Sequence, residues 1–145
     1  MIATSVRGVV AVLGRVMLCT IFFMSAVGNK IPHFGAVSDV MGKVGIPAPS
    51  LMLAGAIVFL LAGSVSIVVG YRAPMGAGLL LVFLVLATYY FHGFWREADP
   101  KAQQDQMIQF MKNLGLMGAM LLIIANGAGP WSVDAMKVKT HEETR

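Results

Sequence analysis

From residue 51 to residue 69 the chain carries no charged side chain. The hydrocarbon core of a bilayer is about 30 Å thick, and a helix crosses it with roughly 20 apolar residues. This segment meets that length. Inside lipid a helix also satisfies its own backbone polar groups, which an open strand cannot do. Small residues recur within it, at Ala54, Gly55, Ala62, Gly63 and Ser66. Helices in lipid associate by close packing, so this spacing marks a helix–helix face. One membrane-spanning helix with a packed side is therefore the starting constraint.

Three further apolar runs flank it. Residues 9–27 are broken only by Arg15, and residues 75–91 open with Gly76, Ala77 and Gly78. The turn Gly70-Tyr71-Arg72-Ala73-Pro74 joins the second and third runs as a close hairpin. The fourth run, residues 114–125, is too short to cross unaided, so its helix must begin upstream, between Pro100 and Ile108. Asp99 followed by Pro100 is a helix start, with Asp as N-cap and Pro at the first helical position. The predicted spans are about 9–27, 51–69, 75–91 and 108–125, in one four-helix transmembrane domain over residues 1–135. The first run also has the parts of a secretory signal peptide: Arg7 and Arg15, an apolar core, and Ala26-Val27-Gly28 as a cleavage site. The three runs that follow favour the span.

Composition agrees. The chain is 57% hydrophobic and 12% charged, against roughly 25% charged in soluble domains. Its net charge of +4 lies in loops and tails, with no basic stripe interleaved with aromatics, which excludes a nucleic-acid surface. Cys19 is the one cysteine and reads as a small buried hydrophobe. The fold class is an all-α membrane protein, a four-transmembrane-helix bundle with a short interfacial helix between spans one and two.

That short helix is read from Phe34, Val37, Val40 or Met41, and Val44, which recur at helical spacing. Gly28-Asn29-Lys30 is expected to end the first helix, Gly45 to end the short one, and Pro47-Ala48-Pro49 to force an extended entry to the second span. Tyr89-Tyr90-Phe91-His92-Gly93-Phe94-Trp95 reads as a helix end at a membrane surface, where amphipathic rings suit headgroups. Asn126-Gly127-Ala128-Gly129-Pro130 ends the fourth helix, Trp131 anchors the far interface, and a polar, poorly ordered tail is expected from Ser132, covering residues 136–145. Four spans put both termini on one side with Arg7, Arg15, Arg72, Lys137, Lys139 and Arg145; the other side has Lys30, Lys43, Arg96, Lys101 and Lys112. The excess on the first side, by a single charge, predicts cytoplasmic termini.

This topology brings Lys30, His92, Trp95, Lys112 and Asn113 to one membrane boundary. A basic, hydrogen-bonding cluster there suits a quinone head group, an anionic lipid or an acidic partner surface. Against this, Lys30 and Lys112 would snorkel, His92 would cap a helix and Trp95 would be an anchor. At the opposite boundary Arg15, Asn126, Ser132 and Asp134 form a second polar set, with an Arg15–Asp134 pair expected to lower the cost of an intramembrane charge. No phosphate-cradling glycine loop occurs, and His33, His92 and His141 lack metal-ligand spacing. No span contains a pair of carboxylates, which argues against a proton pump.

The chain resembles the DoxX family of small four-helix membrane proteins over roughly residues 8–135. The resemblance rests on Gly14-Arg15, Gly28 and Lys30, the helix-two glycine before the Gly70 turn, Ala87-Thr88 leading to His92-Gly93-Phe94-Trp95, Lys112-Asn113-Leu114 with Gly118, and the closing Gly127, Gly129, Ser132 and Asp134. Family members resemble the small membrane subunit of a thiosulfate:quinone oxidoreductase, and others look like membrane partners in oxidative-stress complexes. Many carry a glutamate in helix two; here Ile57-Val58-Phe59-Leu60 has no acid, so a role resting on that group does not carry over. The resemblance implies an inner-membrane accessory or quinone-associated subunit of an oxidoreductase, with no cofactor built in and electrons from a redox-protein partner. In that reading Lys30, His92, Lys112 and Asn113 are the candidate quinone-binding residues. The alternative is a membrane scaffold or small-solute carrier, with the small-residue faces supporting a homo-oligomer.

Overall fold

The computed structural model describes residues 2–137, with the side chains of residues 5–137. Five helices follow in order: α1 (Ile2–Ser25), α2 (Phe34–Lys43), α3 (Pro49–Val69), α4 (Ala73–Phe91) and α5 (Pro100–Asn126). There is no strand among the described residues. Four helical segments are long and apolar enough to cross a membrane: Ser5–Lys30, Pro49–Val69, Ala73–Arg96 and Pro100–Asn126. α2 is the expected short amphipathic helix, held to the start of α3 by a Ser38–Ser50 hydroxyl pair at 2.9 Å.

Local chemistry explains most boundaries. Asp99 Oδ2 accepts the Ala102 amide at 2.9 Å, so it is the expected N-cap and α5 begins at Pro100, upstream of the predicted span 108–125. Pro at the first helical positions also opens α3 and α4. Gly70 closes α3 in the left-handed conformation, at φ 71°.

The first helical segment ends at Lys30, within the expected Gly28-Asn29-Lys30, but Gly28 is not the stop. The chain widens into a π-helical turn, Ala26–Lys30, closed by the Ile31 amide on the Ala26 carbonyl at 2.9 Å. The extra residue in a π turn re-aims the side chains that follow it. Here it keeps Ala26 fully buried and carries Lys30 to the bundle side.

α1 packs along α3, α3 along α4 and α4 along α5; α1 and α5 have no comparable backbone contact. Side chains from all four meet in one core: Cys19 and Phe22 from α1 with Ala26 of the π turn, Leu60 and Ile67 from α3, Ala77, Leu80 and Leu84 from α4, and Met120 from α5. The α3–α4 contact is the closest. A Cβ on Gly63 would lie 2.7 Å from Leu80 Cγ and 2.9 Å from the Gly76 carbonyl, and one on Gly76 would lie 2.5 Å from Ser66 Oγ. Gly63, Ser66, Gly76 and Ala77 therefore form the packing face of the hairpin, while Ala54, Gly55 and Ala62 of the expected small-residue face are exposed. The large apolar side chains that point outward, such as Met17, Leu51, Val58 and Leu122, suit a chain solvated by lipid.

The segment after α5 departs from the expected loose tail. Trp131 lies against Gly8 of α1, where a Cβ would come within 2.4 Å of the indole. Ser132 is buried, and a further helical turn begins at residue 133. The expected tail beyond residue 137, with Lys139, His141 and Arg145, lies outside the described residues.

Candidate functional site

The two polar boundaries are built differently. At the end that holds α1's start, the α3–α4 turn and residues 127–134, polar side chains tie three segments together. Arg15 is buried, at 5% exposure, so it does not snorkel. Its Nη2 donates to the Trp131 carbonyl at 2.8 Å and its Nε to the Ala11 carbonyl at 3.3 Å. Asp134 faces the other way: its carboxylate accepts the Arg72 and Ala73 amides at 3.0 and 3.2 Å. Those are unpaired donors at the positive end of α4, where a carboxylate is favoured. The Asp134 amide donates to the Gly70 carbonyl at 2.9 Å. Arg15 and Asp134 thus hold the same strap through backbone groups instead of pairing with each other. Ser132 Oγ donates to the Gly129 carbonyl and accepts the Ala135 amide, while Asn126 bonds back to the Leu122 carbonyl. This end is a structural knot, and its Arg15 Nη1 is buried against Gly70 with no partner.

At the opposite end the predicted residues do not converge on one point. Lys112 is exposed and donates to Gln109 Oε1 on its own helix. Asn113 is buried in the α4–α5 interface, where its Nδ2 donates to Thr88 Oγ1 at 3.0 Å. His92 follows α4 and places Nδ1 2.9 Å from Gln106 Oε1. With that oxygen as acceptor, Nδ1 carries the proton and Nε2 is left as an acceptor. Trp95 packs edge-on against Phe94 and Phe110, with centroids 5.1 and 6.0 Å away.

Lys30 is the exception in this group. Its Nζ donates to Ser25 Oγ at 2.7 Å and lies 5.4 Å from the Phe83 ring centroid. Phe83 packs on the central core, about 12 Å below the end of α4 at the usual 1.5 Å rise per residue. The ammonium therefore reaches back into the bundle and not out to the headgroups. Among the described residues no carboxylate pairs with it. One donor is used by Ser25, and the ammonium lies within cation–π range of the Phe83 ring, which supplies partial compensation for the charge. The sequence reading did not single out Ser25, Gln106 or Phe83, and it named Thr88 only within the Ala87-Thr88 motif, not as a partner of Asn113. For Ser25 and Gln106 the linear signal was a hydroxyl or an amide in or beside an apolar run; Phe83 has no such signal.

The DoxX family model matches residues 10–93. The chain belongs to the DoxX family. The match includes Arg15, Lys30, the Gly63–Gly76 contact, Gly70 and His92, and stops before α5. Two similar curated relatives come from Escherichia coli K12. The chain is 28% identical over 127 residues to inner membrane protein YqjF, covering 88% of this chain and 92% of that one. It is 29% identical over 130 residues to inner membrane protein YphA, covering 88% and 90%. It is also 24% identical over 127 residues to a Surfeit locus protein 4 homolog of Drosophila melanogaster, covering 87% of this chain and 40% of that protein. No solved structure matches. This is a DoxX-family integral membrane protein with four spans.

Proposed function

We propose that the protein is a quinone-associated accessory subunit of an inner-membrane oxidoreductase, with both termini cytoplasmic. One observation carries the reading: the Lys30 ammonium is turned into the bundle beside Ser25 and Phe83, with no carboxylate among the described residues to neutralise it. An ionisable group at membrane depth is costly and is retained where it does something. A quinone fits the chemistry of this position. Its ring suits the Phe83 face, its carbonyl oxygens accept from an ammonium with spare donors, and its tail is soluble in lipid. Bound there, a quinone supplies two-electron, two-proton redox chemistry. The chain's part is to hold it: Lys30 donates to a carbonyl oxygen and offsets negative charge that develops on it. His92, with Nε2 free to accept, stands nearer the surface as a proton-accepting group. In this reading the electrons come from a partner protein. Asn113 is committed to Thr88 and Lys112 to Gln109, so both support the helices more than the ligand.

The test is labelling of the purified protein by a photoreactive quinone analogue, beside quinone-dependent electron transfer in membranes with and without the protein. A hydrogen bond from a charged donor contributes about 1.5–3 kcal/mol, so Lys30→Met is expected to weaken labelling about tenfold or more. Equal labelling in Lys30→Met, together with electron transfer that survives deletion of the protein, overturns the reading.

A second reading, a scaffold or carrier that works as an oligomer, is favoured by Gly14, Gly55, Gly115 and Gly118. Each is exposed, and a Cβ on any of them would meet nothing within 4 Å. These glycines do not serve packing within the chain, and in lipid such faces let another helix approach closely. Substrate flux in proteoliposomes containing this protein alone would support the carrier form.

A further inference from the structure

The span that contains α4 ends at Arg96, in a single turn of 3-10 helix, Phe94–Arg96, between α4 and α5. That turn is pinned from inside. Phe94 and Trp95 both meet Phe110 of α5 edge-on, at 5.5 and 6.0 Å. Arg96 then folds back over the outside. Its guanidinium lies 5.2 Å from the Tyr89 ring centroid and 5.9 Å from that of Trp95, and its Nη2 donates to the Tyr89 carbonyl at 3.2 Å. Gly93 leaves room for the fold-back: a Cβ there would lie 3.1 Å from Arg96 Nε, and the side chain would have to give slightly.

Among the described residues no carboxylate forms an ion pair with this guanidinium. Glu97 is adjacent but forms no ion pair with it, and Asp99 has turned to the α5 amide of Ala102. Both rings are largely exposed, Tyr89 at 57% and Trp95 at 54%. A guanidinium presents five donors in a planar fork that matches phosphate oxygens. Two amphipathic rings beside it suit the level where headgroups give way to acyl chains. The arrangement thus combines a phosphate-binding fork with a surface for the glycerol and upper acyl carbons, at the end of a span.

We propose that Arg96, Tyr89 and Trp95 form a binding site for the phosphate of an anionic phospholipid. It lies outside the Lys30 region and does not depend on the quinone reading. Anionic lipid is favoured because no carboxylate among the described residues pairs with Arg96, so a headgroup with its own cation leaves the site's charge unmatched.

The experiment is native mass spectrometry of the full protein in detergent micelles, titrated with phosphatidylglycerol or phosphatidylcholine of identical chains. The wild type is compared with Arg96→Gln and Arg96→Lys. The expected result is a bound phosphatidylglycerol retained several-fold better than phosphatidylcholine. Arg96→Gln should hold phosphatidylglycerol about tenfold more weakly, as removal of a charged donor implies, and should no longer distinguish the two lipids. Arg96→Lys keeps the charge without the stacked fork and should fall between them, which keeps the test open if the glutamine variant folds poorly. Equal retention of the two lipids by the wild type overturns the proposal, as does a preference unchanged in both variants. Displacement of phosphatidylglycerol by millimolar inorganic phosphate would assign a free-anion site and overturn the lipid assignment.

Discussion

Gly70→Ala is expected to be among the most damaging single-methyl additions in this chain. Gly70 sits at φ 71°, in the left-handed region, where a non-glycine residue costs roughly 1–2 kcal/mol. The added Cβ would lie 2.3 Å from Ser132 Cβ, 2.4 Å from Arg15 Nη1 and 2.9 Å from Ser132 Cα. Two of these atoms are on or next to backbone and cannot swing aside, so the strap must move. Overpacking of this kind costs about 1–3 kcal/mol. The total is about 2–5 kcal/mol, with the Asp134 amide bond to the Gly70 carbonyl also at risk. The assay is reversible unfolding of the purified protein in mixed detergent micelles, followed by circular dichroism. Gly115→Ala is the control, because its Cβ would meet nothing within 4 Å, and its change should be small. A double-mutant cycle with Ser132→Gly, which removes the opposing Cβ, should recover part of the loss. If Gly70→Ala unfolds like Gly115→Ala, the strap does not bear on Gly70 as described.

Asp134→Ala should destabilise by about 1–2 kcal/mol in the same assay, because it strips the Arg72 and Ala73 amides of their acceptor at the start of α4; an unchanged midpoint would reject the capping role. At the Thr88–Asn113 contact, Thr88→Val alone should cost about 1–3 kcal/mol by leaving a buried amide unsatisfied. Thr88→Val with Asn113→Leu should cost less than the sum of the two single changes, and strict additivity would show that the bond contributes nothing.

The spans were legible because hydropathy is a local property of the chain. Asp99-Pro100 and the Gly70 turn were legible because capping and left-handed turns act within a few residues. The linear pattern also placed His92, Lys112 and Asn113 at one boundary. It did not show that Asn113 is spent on Thr88, 25 positions away, or that Lys112 turns along its own helix. The Arg15–Asp134 pairing failed for a comparable reason. Opposite charges at one boundary suggested mutual contact, yet backbone carbonyls and amides at the α4 start and in the strap were nearer partners.

Hydrophobic length, charge scarcity and turn chemistry by themselves determined that this chain crosses a membrane four times, with a short helix between the first two crossings. The tertiary structure alone decided which polar groups are spent and which remain. Arg15 finds its acceptor 116 positions away, in a strap whose course depends on how α1, α3 and α4 pack. Lys30 points inward because a π turn shifts the face it occupies, a change of one residue in register that hydropathy does not register. Local free energies choose the helices. The direction of a long cationic side chain is settled only when neighbouring helices fix what lies within its reach.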